Sequence, residues 1–326
     1  MLFAATLADL PAFRIGHAQD EAAGTGCTAV IAPAGATCGV AVRGGGPATR
    51  ETDLLKPENM IEAVHAVVLS GGSAFGLEAS CGVMDALAER GIGFSLGPAC
   101  VPIVTGACLF DLLVGAPTHP DKAMGRAAAE AALDAGYDGA ALPQGNVGAG
   151  TGATVGKLGA PEAAMKSGLG VSALRAGDVV TAAVVAVNAL GHVRAADGTW
   201  LAGTRGADGA VMDPLAAFAQ AAAAQAAAAG APVANTTIGC VLTNARLTKA
   251  QATKVASVAH DAYARAIKPV HTMNDGDTVF AFASGEVEAP VDVVGVMATE
   301  AMEQAIRNAV LAAEGAFGLP AARDLR

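Results

Sequence analysis

Positive charge is in short supply in this sequence: 20 Lys and Arg stand against 30 Asp and Glu, a formal net charge of −10. Nucleic-acid binding needs a basic stripe to neutralise phosphates. No such stripe appears, so a nucleic-acid partner is excluded. The six cysteines (Cys27, Cys38, Cys81, Cys100, Cys108, Cys240) show no CxxC or other metal spacing, and none of the six histidines has a second histidine four residues on. Neither a metal nor a cofactor is expected. A long uninterrupted apolar run is missing as well. The most membrane-like window, "GPACVPIVTGACLFDLLVGAP" (97–117), contains Asp111 and several Gly and Pro, and reads as buried core rather than a membrane span. The opening "MLFAATLADLPAFRIG" has no basic n-region and carries Asp9 inside its apolar stretch, so it reads as a poor secretory leader. The expectation is a cytoplasmic chain whose cysteines act as small hydrophobes in a reducing compartment. The glycosylation sequon Asn235-Thr236-Thr237 is then silent.

Aromatics make up only 4% of the chain, while hydrophobic residues reach 53% and glycine 41 of 326 positions. The core is therefore expected to be built from small Ala, Val and Gly side chains, which lets sheets and helices approach closely. "CTAVIA" (27–32) and "CGVAVRGG" (38–45) flank a Pro-Ala-Gly-Ala turn and read as a hairpin. A strand over 66–70 leads through Gly71-Gly72 into a helix from about Ser73 to Arg90, stopped by Gly91. A second helix covers 121–135, ended by Gly136. "QGNVGAGTGATVGKLG" (144–159) is a glycine loop, and "DVVTAAVVAVNALGHV" (178–193) a strong strand. An Ala/Gln run (215–231) of helical composition is detached by Gly230 and Pro232 from a strand over 236–243. Thr248 caps a helix that Pro269 stops; strand 278–284 and helix 292–315 follow. Strands and helices alternate, so the class is α/β, with helix layers covering packed sheets.

Two motifs invite a chemical reading and fail it, or carry little alone. The glycine loop ending in Lys157 is not a phosphate loop: its glycines miss the required spacing to Gly156-Lys157, and Leu158 replaces the Ser or Thr. Asp275 and Asp277, two residues apart before an apolar strand, read by themselves as a polar turn.

Five motifs together carry more. "NTTIGCVLTNA" (235–245), "HTMNDGDTVFAFASG" (271–285), "VAVNALG" (185–191), "VRGGGPATRETDLLKP" (42–57) and "LSGGSAFGLEAS" (69–80) stand in the order of one family. The sequence resembles, over roughly residues 13–318, the DmpA-type aminopeptidases and amidases, which include β-peptidyl aminopeptidases and nylon-oligomer hydrolases. The resemblance implies a four-layer αββα fold in one domain that cuts itself into residues 1–235 and 236–326. It implies an N-terminal-nucleophile hydrolase acting on a small peptide or amide, and a tetramer of processed protomers. Asn235–Thr236 matches the self-cleaved bond and Thr236 the nucleophile. Asn188 matches the asparagine near the oxyanion. Lys157 matches the lysine of the nylon-oligomer branch, and Asp275 and Asp277 match that branch's paired aspartates. At a substrate-contacting position where that branch carries tyrosine, this chain has Phe110, so any bond from that hydroxyl is lost.

The chemistry fits those residue types. A threonine hydroxyl is a weak nucleophile at pH 7 and needs a base. Breaking the 235–236 bond gives Thr236 an α-amine with a reference pKa of about 8, which can take the hydroxyl proton. Asn188 can then donate to the developing oxyanion, and the aspartates can hold the ammonium. A soft segment on the N-side of the bond would swing clear after cleavage. A polyamide-oligomer endohydrolase, a self-cleaving acyltransferase and an uncleaved binding protein remain as alternatives.

Overall fold

The structure is a computed structural model that describes residues 1–134, 142–227 and 235–325. Its main elements are, in chain order, β1 (Arg14–Asp20), β2 (Thr25–Val42), β3 (Ala48–Arg50), β4 (Val64–Ser70), α1 (Ala79–Glu89), β5 (Val104–Cys108), α2 (Lys122–Asp134), β6 (Leu169–Ala176), β7 (Val179–Asn188), α3 (Pro214–Ala227), β8 (Thr236–Ala245), α4 (Lys249–Ala266), β9 (Thr278–Val287) and α5 (Val291–Ala312).

Two sheets share one strand. The first runs β6-β7-β8-β9 and then the C-terminal half of β2; the second runs β1, the N-terminal half of β2, β4, β5, β3. Residues 27–45 therefore do not form the hairpin that the Pro-Ala-Gly-Ala turn suggests. Cys27–Ile31 pair with β4, Thr37–Val42 pair with β9, and a register irregularity between Ile31 and Ala36 lets one strand pass from sheet to sheet. A bulge of this kind bends a strand without ending it.

Strand alternation builds three apolar layers. On β7, Ala182, Val184 and Ala186 face the core between the sheets, while Ala183, Val185 and Val187 face the helix layer, where α5 packs on this strand. On β8, Ile238, Cys240 and Leu242 face inward and Val241 outward. Both faces of these strands are buried, which is why they read as continuous apolar runs. Phe13 and Phe282 meet between the sheets with ring centroids 5.2 Å apart, a contact worth about 1 kcal/mol beyond the area it buries. The third layer packs Val68 and Ile31 against Val83 and Leu87 of α1 and Ala128 of α2. The order is helix, sheet, sheet, helix, as the family resemblance implies.

Small residues set the spacing of the layers. A Cβ on Gly82 of α1 would lie 1.9 Å from the Lys122 carbonyl oxygen, and one on Gly125 of α2 the same distance from that of Ala79. The two helices touch backbone to backbone there.

The helices keep close to their expected bounds. Residues Ser73–Glu78 form a 3-10 turn before α1, and the left-handed Gly91 (φ 68°) ends that segment. The Thr248 hydroxyl accepts the Gln251 N–H at 3.3 Å and caps α4. Gly136, expected to stop α2, and Gly230 and Pro232, expected to detach the Ala/Gln run, lie outside the described residues. The strand expected over 178–193 ends at Asn188, and His192–Arg194 pairs elsewhere. The 97–117 window is only partly core. Val104–Leu109 is buried, Ala99–Val101 belongs to a mostly exposed hairpin, and Leu113 is exposed. Its glycines and prolines cut the apolar run into pieces with separate environments. Among the described residues no helix is long and apolar enough to cross a membrane.

Candidate active site

Three strand ends meet at one place. Asn188, the last residue of β7, is the direct antiparallel partner of Thr236, the first residue of β8. Strand β9 lies parallel on the other side of β8, with Ile238 beside Thr278. Two residues 40 positions apart in the chain are thus neighbours in the sheet. The pairing continues one residue before the strand: Asn235 bridges to Asp275, its N–H donating to the Asn274 carbonyl at 2.9 Å. The Asn235 carbonyl oxygen accepts the Gly276 N–H at 2.8 Å, and the Thr236 hydroxyl donates to the same oxygen. Thr236 is buried. Its hydroxyl therefore sits on the carbonyl of the bond that precedes it, and a backbone donor already polarises that carbonyl.

The glycines of two motifs are explained by this crowding. A Cβ on Gly276 would come within 2.7 Å of Thr236 Oγ1, and one on Gly44 within 2.2 Å of the Asp275 carbonyl oxygen. The Gly44–Gly46 loop straps the entry to β9, with Gly46 N–H donating to the Asp275 carbonyl at 2.8 Å.

The polar side chains form a linked set. Asn188 Oδ1 accepts from Lys157 Nζ at 2.6 Å and from the Thr154 N–H at 3.0 Å, while Asn188 Nδ2 donates to the Phe110 carbonyl at 2.8 Å. Phe110 contributes to this set through its backbone. Burial pushes the half-buried Lys157 ammonium down to about 7, against the charges of Asp275 and Asp111, which favour the proton. Asp275 is shifted up, first by burial and then by the neighbouring Asp277; its bonds from Thr272 N–H (2.7 Å) and Oγ1 (2.6 Å) oppose the rise. Asp277 is buried. Its Oδ1 accepts the Thr237 N–H at 2.8 Å, and its Oδ2 accepts from the His271 N–H at 3.0 Å and from His271 Nδ1 at 2.8 Å. In the intact chain Asp277 thus grips the amide next to Thr236 rather than Thr236 itself.

The structure brings Thr236, Asn235, Asn188, Lys157, Asp275 and Asp277 to one end of β7, β8 and β9. Beside them opens a cavity of about 620 Å³, bounded by Lys157, Leu158, Leu190, Arg205, Asn274 and Phe218 of α3. Helix α3 precedes the Asn235–Thr236 bond in the chain and packs Ala217 against Leu158 and Leu190. Sequence reasoning overlooked three contributors. Thr154 acts through its N–H, which leaves no mark in residue type. Gly276 acts through its N–H and through the absence of a Cβ beside Thr236, a closeness legible only in the fold. His271 stands close in sequence to Asp275 and Asp277, the one signal that could have found it. Among the described residues no group of three His, Cys, Asp or Glu is placed to hold a metal ion.

Comparison with known proteins shows the family and the fold. The pattern described as Peptidase family S58 matches residues 5–322. The chain is 40% identical over 348 residues to an "uncharacterized aminopeptidase" of Mycobacterium leprae (strain TN), covering 97% of this chain and 92% of that one. It is 33% identical over 316 residues to a 6-aminohexanoate-oligomer endohydrolase of Paenarthrobacter ureafaciens, covering 92% of this chain and 84% of that one. The solved L-aminopeptidase D-Ala-esterase/amidase of Ochrobactrum anthropi, described as a variant of the Ntn hydrolase fold, superposes with a TM-score of 0.64. That superposition covers 95% of this chain and 86% of the other at 19% identity, a likeness of fold. The chain belongs to peptidase family S58 and is a hydrolase of peptide or amide bonds.

Proposed function

We propose that the chain cleaves itself between Asn235 and Thr236 and then hydrolyses small peptide or amide substrates with Thr236 as an N-terminal nucleophile. The observation that carries this is the Thr236 hydroxyl seated on the Asn235 carbonyl, whose oxygen the Gly276 N–H also holds. Thr236 Oγ attacks the Asn235 carbonyl carbon and the C–N bond breaks. The acyl group is then an ester on Oγ, and the nitrogen has become the Thr236 α-amine. Water cleaves the ester, releasing the Asn235 carboxylate and restoring the hydroxyl. Before that step no α-amine exists to act as base. Lys157, brought to about 7 by burial and bonded to the residue paired with Thr236, is the group we assign to take the first proton.

In the processed enzyme the α-amine takes over as base, and the same hydroxyl forms an acyl-enzyme with the substrate. Asn188 Nδ2 carries a second hydrogen beyond the one given to Phe110, which we assign to the oxyanion. Such a donor contributes about 3 kcal/mol to the transition state. Asp277, with Asp275 behind it, sits beside the new ammonium. The M. leprae relative supports an aminopeptidase. The P. ureafaciens relative supports a second reading, endo-hydrolysis of polyamide oligomers, which the Lys157, Asp275 and Asp277 set also favours. The family resemblance further supports a tetramer of processed protomers.

Intact-mass analysis and N-terminal sequencing test the reading. The 31.8 kDa chain is expected to give a smaller fragment beginning Thr-Thr-Ile-Gly, and Thr236→Ala to give one uncleaved chain with no hydrolysis. Normal processing of Thr236→Ala would overturn it, and a wild-type chain that stays whole would point to a binding protein. A panel of L-, D- and β-aminoacyl amides beside 6-aminohexanoate oligomers separates the two substrate readings. Turnover only with an added amine acceptor would mark an acyltransferase.

A further inference from the structure

His271 opens the turn that leads into β9, and its backbone is left-handed, with φ at 58°. Residues with side chains adopt that conformation at a cost and keep it where the surroundings over-determine it. Here α4 supplies the surroundings. The His271 ring stacks on the fully buried Tyr263, with centroids 5.8 Å apart and planes at 29°, and meets the His260 ring edge-on at 4.8 Å. His260 is itself fixed by a 2.9 Å bond to the Ala41 carbonyl. With the ring clamped in this way, Nδ1 is held 2.8 Å from Asp277 Oδ2. A carboxylate only accepts, so the proton of this bond sits on Nδ1.

The other oxygen of Asp277 takes the Thr237 N–H at 2.8 Å. A continuous link therefore runs from α4 through His271 and Asp277 to the residue directly after Thr236. The Asp277 side chain is 1% exposed, so water is poorly placed to replace a lost donor. We propose that His271 is a positioning residue for self-cleavage and hydrolysis. Its ring donor holds the Asp277 carboxylate in the rotamer that grips Thr237. That grip sets where the Thr236 hydroxyl lies against the Asn235 carbonyl, and where Asp277 lies when Thr236 gains its amine. The inference rests on Thr236 being the nucleophile.

Two substitutions separate the hydrogen bond from the packing. His271→Phe keeps a ring against Tyr263 and loses the donor. His271→Asn keeps a donor near Nδ1, tolerates a positive φ and loses the ring. Processing is followed by intact mass after synthesis, kcat and KM by steady-state hydrolysis of an aminoacyl amide, and Tm on the same samples. His271→Phe is expected to slow processing and lower kcat about tenfold or more, with KM within about twofold, because misplacement acts on the transition state. His271→Asn is expected to keep rates within about threefold of wild type while losing more Tm, since its loss is packing. In a double variant with Asp277→Asn, His271→Phe should add little further slowing. Wild-type rates in His271→Phe, or rates in His271→Asn that fall as its Tm falls, would make His271 a packing residue and overturn the inference. Thr236→Ala in the same series keeps the two claims apart. If it processes normally the nucleophile assignment fails, whereas if it stays whole while both His271 variants behave as wild type, only the positioning role fails.

Discussion

Lys157 and Lys166 lie nine positions apart, and burial pushes both ammonium groups down to about 7. Their surroundings differ. Lys166 is fully buried, and its Nζ donates to three backbone carbonyls, those of Gly150 (3.1 Å), Ala153 (3.1 Å) and Ser167 (2.5 Å). It ties the glycine loop together from inside. Lys157 faces the cavity and bonds to Asn188, whose partner across the sheet is Thr236. A shifted pKa therefore does not by itself mark a reactive group. What separates the two is where the nitrogen's partners lead: to loop backbone for Lys166, to the strand pair that holds Thr236 for Lys157.

The comparison is broken most directly by Met substitutions. Lys157→Met is expected to cut self-cleavage and hydrolysis at least about 100-fold, the scale of losing one group that stabilises or deprotonates the reacting centre. Its stability should stay within about 1 kcal/mol of wild type, since Asn188 Oδ1 keeps the Thr154 N–H and the side chain is half-exposed to the cavity. Lys166→Met should do the reverse. Three carbonyls lose a donor in a buried place, so about 1–3 kcal/mol of stability is lost, while kcat of the folded fraction changes little. Urea denaturation and steady-state kinetics on the same preparations check both. Equal kinetic damage from the two variants would erase the distinction.

Much of this was legible in the sequence, and the remainder was hidden for definite reasons. Thr236, Asn188, Asp275, Asp277 and Lys157 stand in side-chain motifs, so a family resemblance could place them. The strand boundaries near 236 and 278 followed from apolar alternation. The passage of β2 from one sheet to the other was not legible, because Pro33-Ala34-Gly35-Ala36 has the composition of a hairpin turn. The choice depends on β9, some 240 positions later in the chain. Thr154 acts through an N–H group that any residue but proline would supply, and the close approach of Gly276 to Thr236 is visible only once the strands are paired. Lys166 stands in no motif, and its burial is decided by the fold of the glycine loop around it.

Two buried aspartates sharpen the contrast with a smaller effect. Asp277 accepts three N–H donors spread over both oxygens. In Asp277→Asn one amide hydrogen pair must face a donor whichever way the group turns. Processing and kcat are expected to fall about tenfold, with a loss of about 1–3 kcal/mol in stability. Asp111 is equally buried and accepts one N–H, from Gly72 at 2.6 Å, and one hydroxyl, from Thr25 at 2.8 Å. A hydroxyl can turn and accept, so Asp111→Asn keeps both bonds. It also removes a carboxyl that burial has raised to about 6. Turnover within about threefold of wild type and stability within about 1 kcal/mol are expected at pH 7. Processing by intact mass and a melting curve are the readouts, and a larger kinetic loss in Asp111→Asn than in Asp277→Asn would reverse the assignment.

The smallest effect is one of pH, and it tests Lys166 by stability alone. Its folded value of about 7 lies below the ordinary lysine value of 10.5. Between those values the unfolded chain binds a proton that the folded chain does not, so this group's contribution to stability rises with pH across that window. Below pH 7 both states are protonated and the contribution is flat. Buried thiols act with the opposite sign at higher pH. Cys27 is pushed up to about 12, and Cys38, Cys108 and Cys240 are raised as well, all by burial. Unfolded thiols ionise near 9 while these stay protonated, which lowers stability as pH rises past that value. The thiols and Lys157 are common to wild type and Lys166→Met, so they cancel in the difference between the two curves. Measured by urea denaturation at pH 6, 7.5 and 9 in a Thr236→Ala background, wild-type Lys166 should gain on Met by up to about 1 kcal/mol per pH unit above 7. A difference constant over that range would mean that Lys166 remains an ammonium, held by its three carbonyls against burial. The two lysines would then differ in charge as well as in partners.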